Sequence, residues 1–231
     1  MSLTPRTIVL IPGYMLNEML WREFETYLPA NCIVHHASVT GGRTLHDIVQ
    51  HMSTCLPDKF TLIGFSLGGY IARQFAADFP DRLESLVLIA SSLREDTPLE
   101  ADSKRQSVQS LSPATFKGLS SHAIARSLHP LNASDRDMIS IIQQMGRCLG
   151  FEVFITQSTL IRQGIPSATI GCPTLVIASE DDAIRSMQEA AELVDAIPGA
   201  SLRTIKDCGH MIPLEQPEAL ARTITEWISV R

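Results

Sequence analysis

A chain of 231 residues with 45% hydrophobic and 19% charged side chains has the make-up of a soluble globular protein long enough to bury a sizeable core. Its formal net charge of -6 gives no electrostatic footprint for nucleic acid or an anionic membrane surface, and fits a neutral or modestly polar small molecule better. Five cysteines, an odd number without any Cys-x-x-Cys pair, indicate neither a disulfide framework nor a zinc ribbon and read as reduced thiols of a cytoplasmic protein.

Along the chain, the first β-rich apolar run spans residues 7–11; it is far too short for a membrane span or a signal-peptide core, and Pro12-Gly13 ends it. A helical pattern at 17–27 leads to a strand at 32–36, a helix at 45–55 and a strand at 60–64. A helix at 67–78 and a strand at 85–90 follow. The rhythm then breaks. From 92 to 169 there is no convincing strand, and helical segments are separated by Pro113, His129-Pro130, Gly150 and Pro166. A structureless loop of that length is improbable, so the stretch reads as a helical insertion over the sheet, with Phe151, Phe154 and Ile155 as packing residues. Strands return at 174–178 and 201–205, with helices at 186–196 and 215–230. In the last helix Leu220, Ile224, Trp227 and Ile228 recur at helical spacing, and Pro217 sits near the first-turn position that tolerates a missing N–H. Strand runs that are apolar on successive residues and alternate with helices predict an α/β fold: a parallel sheet covered on both faces by crossover helices. The core comprises 1–91 and 170–231, and the insertion 92–169.

Gly64-Phe65-Ser66-Leu67-Gly68-Gly69 joins the third strand to its helix. So sharp a strand-to-helix turn strains the serine backbone, exposes its hydroxyl, and needs small residues on either side. The following helix aims its amino-terminal N–H groups at developing negative charge. A serine hydroxyl is a poor nucleophile without a base to take its proton. His210, in Asp207-Cys208-Gly209-His210-Met211-Ile212-Pro213, follows the last strand and therefore lies at the same sheet edge as Ser66. His35 and His36 read as structural or pocket-lining; His46, His51, His122 and His129 read as surface or packing residues. The base needs an acid to hold its tautomer. Ser179-Glu180-Asp181-Asp182, running off the preceding strand, offers Asp181 and Asp182. An oxyanion needs preorganised donors, for which the N–H of Leu67 and the N–H of Tyr14 in Ile11-Pro12-Gly13-Tyr14-Met15 are placed.

With these motifs in this order, the sequence resembles the α/β-hydrolase superfamily, most closely small bacterial serine esterases with a helical cap of the pimeloyl-[acyl-carrier protein] methyl ester esterase type. The resemblance covers nearly the whole chain, strongly at residues 64–69 and 209–217 and weakly in 92–169. It implies a triad of Ser66, Asp182 and His210, Asp182 being the fourth residue of the acid loop, where Ser179 replaces the family's glycine. Two further departures stand out. Pro12-Gly13 replaces the family's His-Gly, removing the histidine's usual hydrogen bonds in that loop. Only six residues precede Thr7, so the resemblance implies a reduced, all-parallel sheet of six strands. The activity implied is a carboxylesterase acting on a small ester through an acyl-enzyme, with no metal and no cofactor. Met15, Leu16 and Phe65 are expected to line an apolar acyl site. Two other readings keep the fold: a lyase or carbon–carbon bond hydrolase using further polar groups such as Arg147, Gln157 or Arg162, and a non-catalytic small-ligand receptor. Dehalogenase and epoxide hydrolase chemistry is disfavoured, because those relatives carry a carboxylate where this chain has Ser66.

Overall fold

The computed structural model describes residues 5–230, so the outermost residues of the expected core, 1–4 and 231, lie outside the described range. The chain opens with β1 (Arg6–Ile11), then α1 (Arg22–Thr26), β2 (Cys32–His36), α2 (Leu45–Ser53) and β3 (Phe60–Phe65). It continues through α3 (Leu67–Asp78) and β4 (Leu83–Ile89) to three helices in succession, α4 (Pro98–Ser110), α5 (Ser121–Ser127) and α6 (Arg136–Thr159). The remainder alternates again: β5 (Thr174–Ser179), α7 (Met187–Ala196), β6 (Ser201–Ile205), α8 (Ile212–Glu215) and α9 (Pro217–Ser229).

The six strands form one sheet in the order β2-β1-β3-β4-β5-β6, and every neighbouring pair is parallel. Side chains alternate between the faces, and each face meets a helical layer. Val9, Ile11, Leu62, Leu86, Leu88 and Val176 pack with α2, α3 and α7; Ile8, Leu10, Ile63, Val87, Ile89 and Ile177 pack with α1 and α9. All six residues of β3 and of β5 are buried, which is why these strands read as unbroken apolar runs. Burying each large aliphatic side chain there contributes about 1.5–3 kcal/mol. Ser66, Asp182 and His210 all follow the carboxyl ends of strands, those of β3, β5 and β6.

Two expected helices differ from the structure. The one read at 17–27 begins as a 3-10 turn, Glu18–Trp21, capped by the Asn17 side chain on the Met19 N–H at 3.0 Å, and only then becomes α1. The one read at 215–230 is two helices, α8 and α9, broken at Gln216 with φ -137 and ψ 54. Pro217 accounts for the break, since its ring drives the preceding residue out of the helical region. Within α6, Gly150 adopts φ 82 and kinks the helix.

Candidate active site

At the end of β3 the backbone reverses into α3 through Ser66, whose φ of 51 and ψ of -111 lie outside the ordinary regions. The conformation is held from both sides: Ser66 N–H donates to Ile89 O at 2.8 Å, and Ser66 O accepts from Gly69 N at 3.0 Å and from Ser91 Oγ at 3.0 Å. Close approach explains the flanking glycines. A Cβ on Gly64 would lie 2.4 Å from Gly68 O, and one on Gly68 would lie 2.5 Å from Ile11 O. The result lifts the Ser66 hydroxyl clear of the helix that follows.

The structure brings His210 and Asp182 to this hydroxyl. His210 Nε2 is 2.9 Å from Ser66 Oγ, and His210 Nδ1 is 2.8 Å from Asp182 Oδ2. The imidazole is buried against the Phe65 ring, 5.2 Å between centroids, and the Asp182 side chain is 1% exposed. Asp182 Oδ1 accepts the N–H groups of Ile184 at 2.7 Å and Arg185 at 2.8 Å, so one oxygen anchors the carboxylate while the other meets the ring. Asp181 points elsewhere: its side chain is 48% exposed and its carboxylate lies 3.7 Å from His129 Nε2. Ser179, standing where the family has glycine, donates its hydroxyl to Cys208 O and so ties the acid loop to the histidine loop.

Tyr14 and Leu67 bracket the serine from the ends of β1 and β3, and neither backbone N–H has a protein acceptor among the described residues. Leu16 and Phe65 line a cavity of about 270 Å³ that reaches Ser66 and His210, together with Tyr14, Ile124 and Ile142. Met15 departs from expectation. Its side chain is fully buried and does not line the cavity, because the backbone there turns left-handed, at φ 55, and points it into the interior.

Several contributing groups escaped the sequence reading. Met15 N–H donates to Gln157 Oε1 at 2.7 Å, and the Tyr14 hydroxyl pairs with Ser158 Oγ at 2.6 Å. Both partners belong to α6, and they hold the turn where Pro12 removes the family's histidine. Burial and this contact act in opposite directions on the Tyr14 phenol; burial prevails and raises its pKa. On the opposite side, His210 N–H and Met211 N–H both donate to Ser127 O, at 2.8 and 3.2 Å. Glu215 accepts from Gly209 N at 2.8 Å, His129 N at 2.7 Å and Asn132 Nδ2 at 2.9 Å. Of the three polar residues considered for other chemistries, Arg147 is exposed, Gln157 serves the Met15 turn, and Arg162 lines the cavity. Among the described residues no cluster of three His, Cys, Asp or Glu side chains is arranged to hold a metal ion, and no helix is long and apolar enough to cross a membrane.

Residues 8–223 match the alpha/beta hydrolase family. The chain belongs to that family. A pimeloyl-[acyl-carrier protein] methyl ester esterase from Aromatoleum aromaticum is 26% identical over 95% of this chain and 96% of its own. A malate-bound structure of a thermophilic esterase from Thermogutta terrifontis is 25% identical, with a TM-score of 0.81 over 98% of this chain and 90% of that one. The enol-lactonase from Burkholderia xenovorans, 18% identical, superposes with a TM-score of 0.85 over 99% of this chain and 92% of its own, a likeness of fold. The six-stranded parallel sheet flanked by helices is thus the alpha/beta hydrolase fold in an all-parallel form.

Proposed function

We propose that this alpha/beta hydrolase is a serine carboxylesterase acting on a small ester through an acyl-enzyme. The observation that carries the reading is the continuous contact from Ser66 Oγ through His210 to Asp182, at 2.9 and 2.8 Å. Ser66 Oγ attacks the ester carbonyl as its proton passes to His210 Nε2, and a carbon–oxygen bond forms. The tetrahedral oxyanion is received by the N–H groups of Tyr14 and Leu67, each such donor contributing about 3–4 kcal/mol to the transition state. Collapse breaks the bond to the alcohol, which leaves with the proton from His210. Water then attacks the acyl group, gives its proton to His210, and the returning proton restores Ser66 as the acid departs. Asp182 keeps Nδ1 protonated and stabilises the imidazolium without itself taking the proton.

The insertion, residues 92–169, acts in this reading as a cap over the site, since Lys104, Ile124, Ile142 and Arg162 all line the cavity. The esterase names of the relatives support ester cleavage. The five free cysteines support a reducing compartment such as the cytoplasm.

A fluorophosphonate probe is expected to label the intact protein at Ser66 and to leave Ser66→Ala unlabelled, with p-nitrophenyl butyrate hydrolysed only by the former. A folded wild-type protein that neither labels nor hydrolyses would overturn the proposal.

A further inference from the structure

The cavity beside Ser66 has two unlike walls. One is apolar, formed by Leu16, Phe65, Leu119, Ile124 and Ile142. The other is ionic, with Asp96, Glu100, Lys104, Arg162 and Arg185 around it.

The guanidinium groups on the ionic wall are poorly satisfied. Arg162 has a side chain only 7% exposed, yet its contact with Asp96 Oδ1 is long, 3.4 Å, and its Nε has no hydrogen-bond partner. Asp96 gives its other oxygen to Lys104 Nζ at 2.5 Å. Arg185 repeats the pattern: Nη1 donates to Glu189 at 3.0 Å while Nε has no partner. Both guanidinium groups lie over the Tyr70 ring, 5.5 and 5.9 Å from its centroid, and the buried Arg73 lies over it at 5.1 Å. Among the described residues Arg73 has no carboxylate partner, donating instead to Ser167 Oγ and Ser92 O.

Four cations, Arg73, Lys104, Arg162 and Arg185, thus gather with three carboxylates, Asp96, Glu100 and Glu189. Arg94 and Glu192 beyond them neutralise one another at 2.6 Å. An arginine cannot shed its proton, so a buried guanidinium in such a setting is stabilised by a further anion. Burial and the neighbouring Arg162 also pull the Lys104 ammonium below its usual range, as expected of a site crowded with positive charge.

We propose that this wall is a carboxylate subsite, with Arg162 and Arg185 receiving the free acid of a half-ester of a dicarboxylic acid while its ester carbonyl lies at Ser66. The inference rests on the esterase reading and specifies its substrate class.

The test compares methyl half-esters of linear dicarboxylic acids with the neutral methyl esters of the matching mono-amides, using p-nitrophenyl butyrate as a control for catalysis. The wild-type protein is expected to favour the half-ester in kcat/KM by about ten- to a hundredfold at one or more chain lengths, the worth of one charge-assisted hydrogen bond. That preference falls as salt is added and drops toward parity in Arg162→Gln and in Arg185→Gln. A companion measurement needs only the wild-type protein: free dicarboxylates should inhibit butyrate ester hydrolysis more strongly than their mono-amides, by a similar factor. Hydrolysis of the butyrate ester with no half-ester preference at any length, or a preference that survives both substitutions in folded protein, overturns the subsite and leaves the esterase reading standing. Absence of all ester hydrolysis overturns the esterase reading and the subsite with it.

Discussion

The carboxyl edge of the sheet supplies Ser66, Asp182 and His210, whereas the stretch between β4 and β5 supplies much of what holds their loops in place. In the first group, Ser66 and Asp182 follow strands buried on both faces, Ser66 in a strained turn, whereas His210 follows the partly exposed edge strand β6. The second works through a few side chains and one carbonyl, chiefly Gln157, Ser158 and Ser127, that reach backbone or hydroxyl groups of the core. The three candidate side chains follow strand ends of one sheet, and hydrogen bonds that support their loops come from a distant part of the chain.

Substitutions can break or sharpen this contrast, and the largest effect should fall on the core. Ser66→Ala is expected to lower kcat/KM for p-nitrophenyl butyrate by about 10⁴-fold or more, with little change in the urea midpoint. Asp182→Asn should cost about 10²- to 10⁴-fold by the same assay, because the ring loses the partner that fixes its tautomer, while Asp181→Asn should stay within about twofold. An equal loss in both would contradict the geometry that separates the two aspartates. For the supporting stretch, Gln157→Leu is expected to lower kcat by about tenfold with KM little changed, by loosening the turn that presents the Tyr14 N–H. A KM effect alone would make Gln157 a binding residue instead. Glu215→Ala leaves three donors without their acceptor and should reduce unfolding free energy by about 1–3 kcal/mol in urea titration.

The smallest effect concerns Cys208. Burial pushes its thiol up to about 11. Its folded pKa being raised, the thiolate remains a trace, about one part in a thousand, at pH 8. Iodoacetamide should therefore modify exposed Cys55 and Cys148 in the native protein and reach Cys208 only on unfolding; rapid native modification would mean the histidine loop opens freely.

The strands, and the placing of Ser66, Asp182 and His210 at one edge of the sheet, were legible because their signals are local. An apolar run reports burial on both faces, and Gly64-Phe65-Ser66-Leu67-Gly68 and Asp207-Cys208-Gly209-His210 each sit directly on a strand end. Choosing between Asp181 and Asp182 needed the family resemblance, since adjacent carboxylates on a turn differ only in three dimensions. Gln157, Ser158 and Ser127 were not readable as supports, because each contact joins residues far apart in sequence through helix packing that no short pattern encodes. Met15 was misread for a related reason: an apolar residue beside a glycine turn suggests a pocket wall, but its left-handed backbone sends the side chain inward.

The single carboxylate of Glu215 clamps the loop before His210 to the segment at His129 and Asn132. Together with the Met15–Gln157 bond, it makes the region between β4 and β5 a poor subject for transplantation. A chimera that borrowed this region from another protein would arrive without matching acceptors and donors, and would disturb the loops that carry Tyr14 and His210. Under the proposed carboxylate subsite, selectivity is better changed by point substitutions on the ionic wall than by exchange of whole segments.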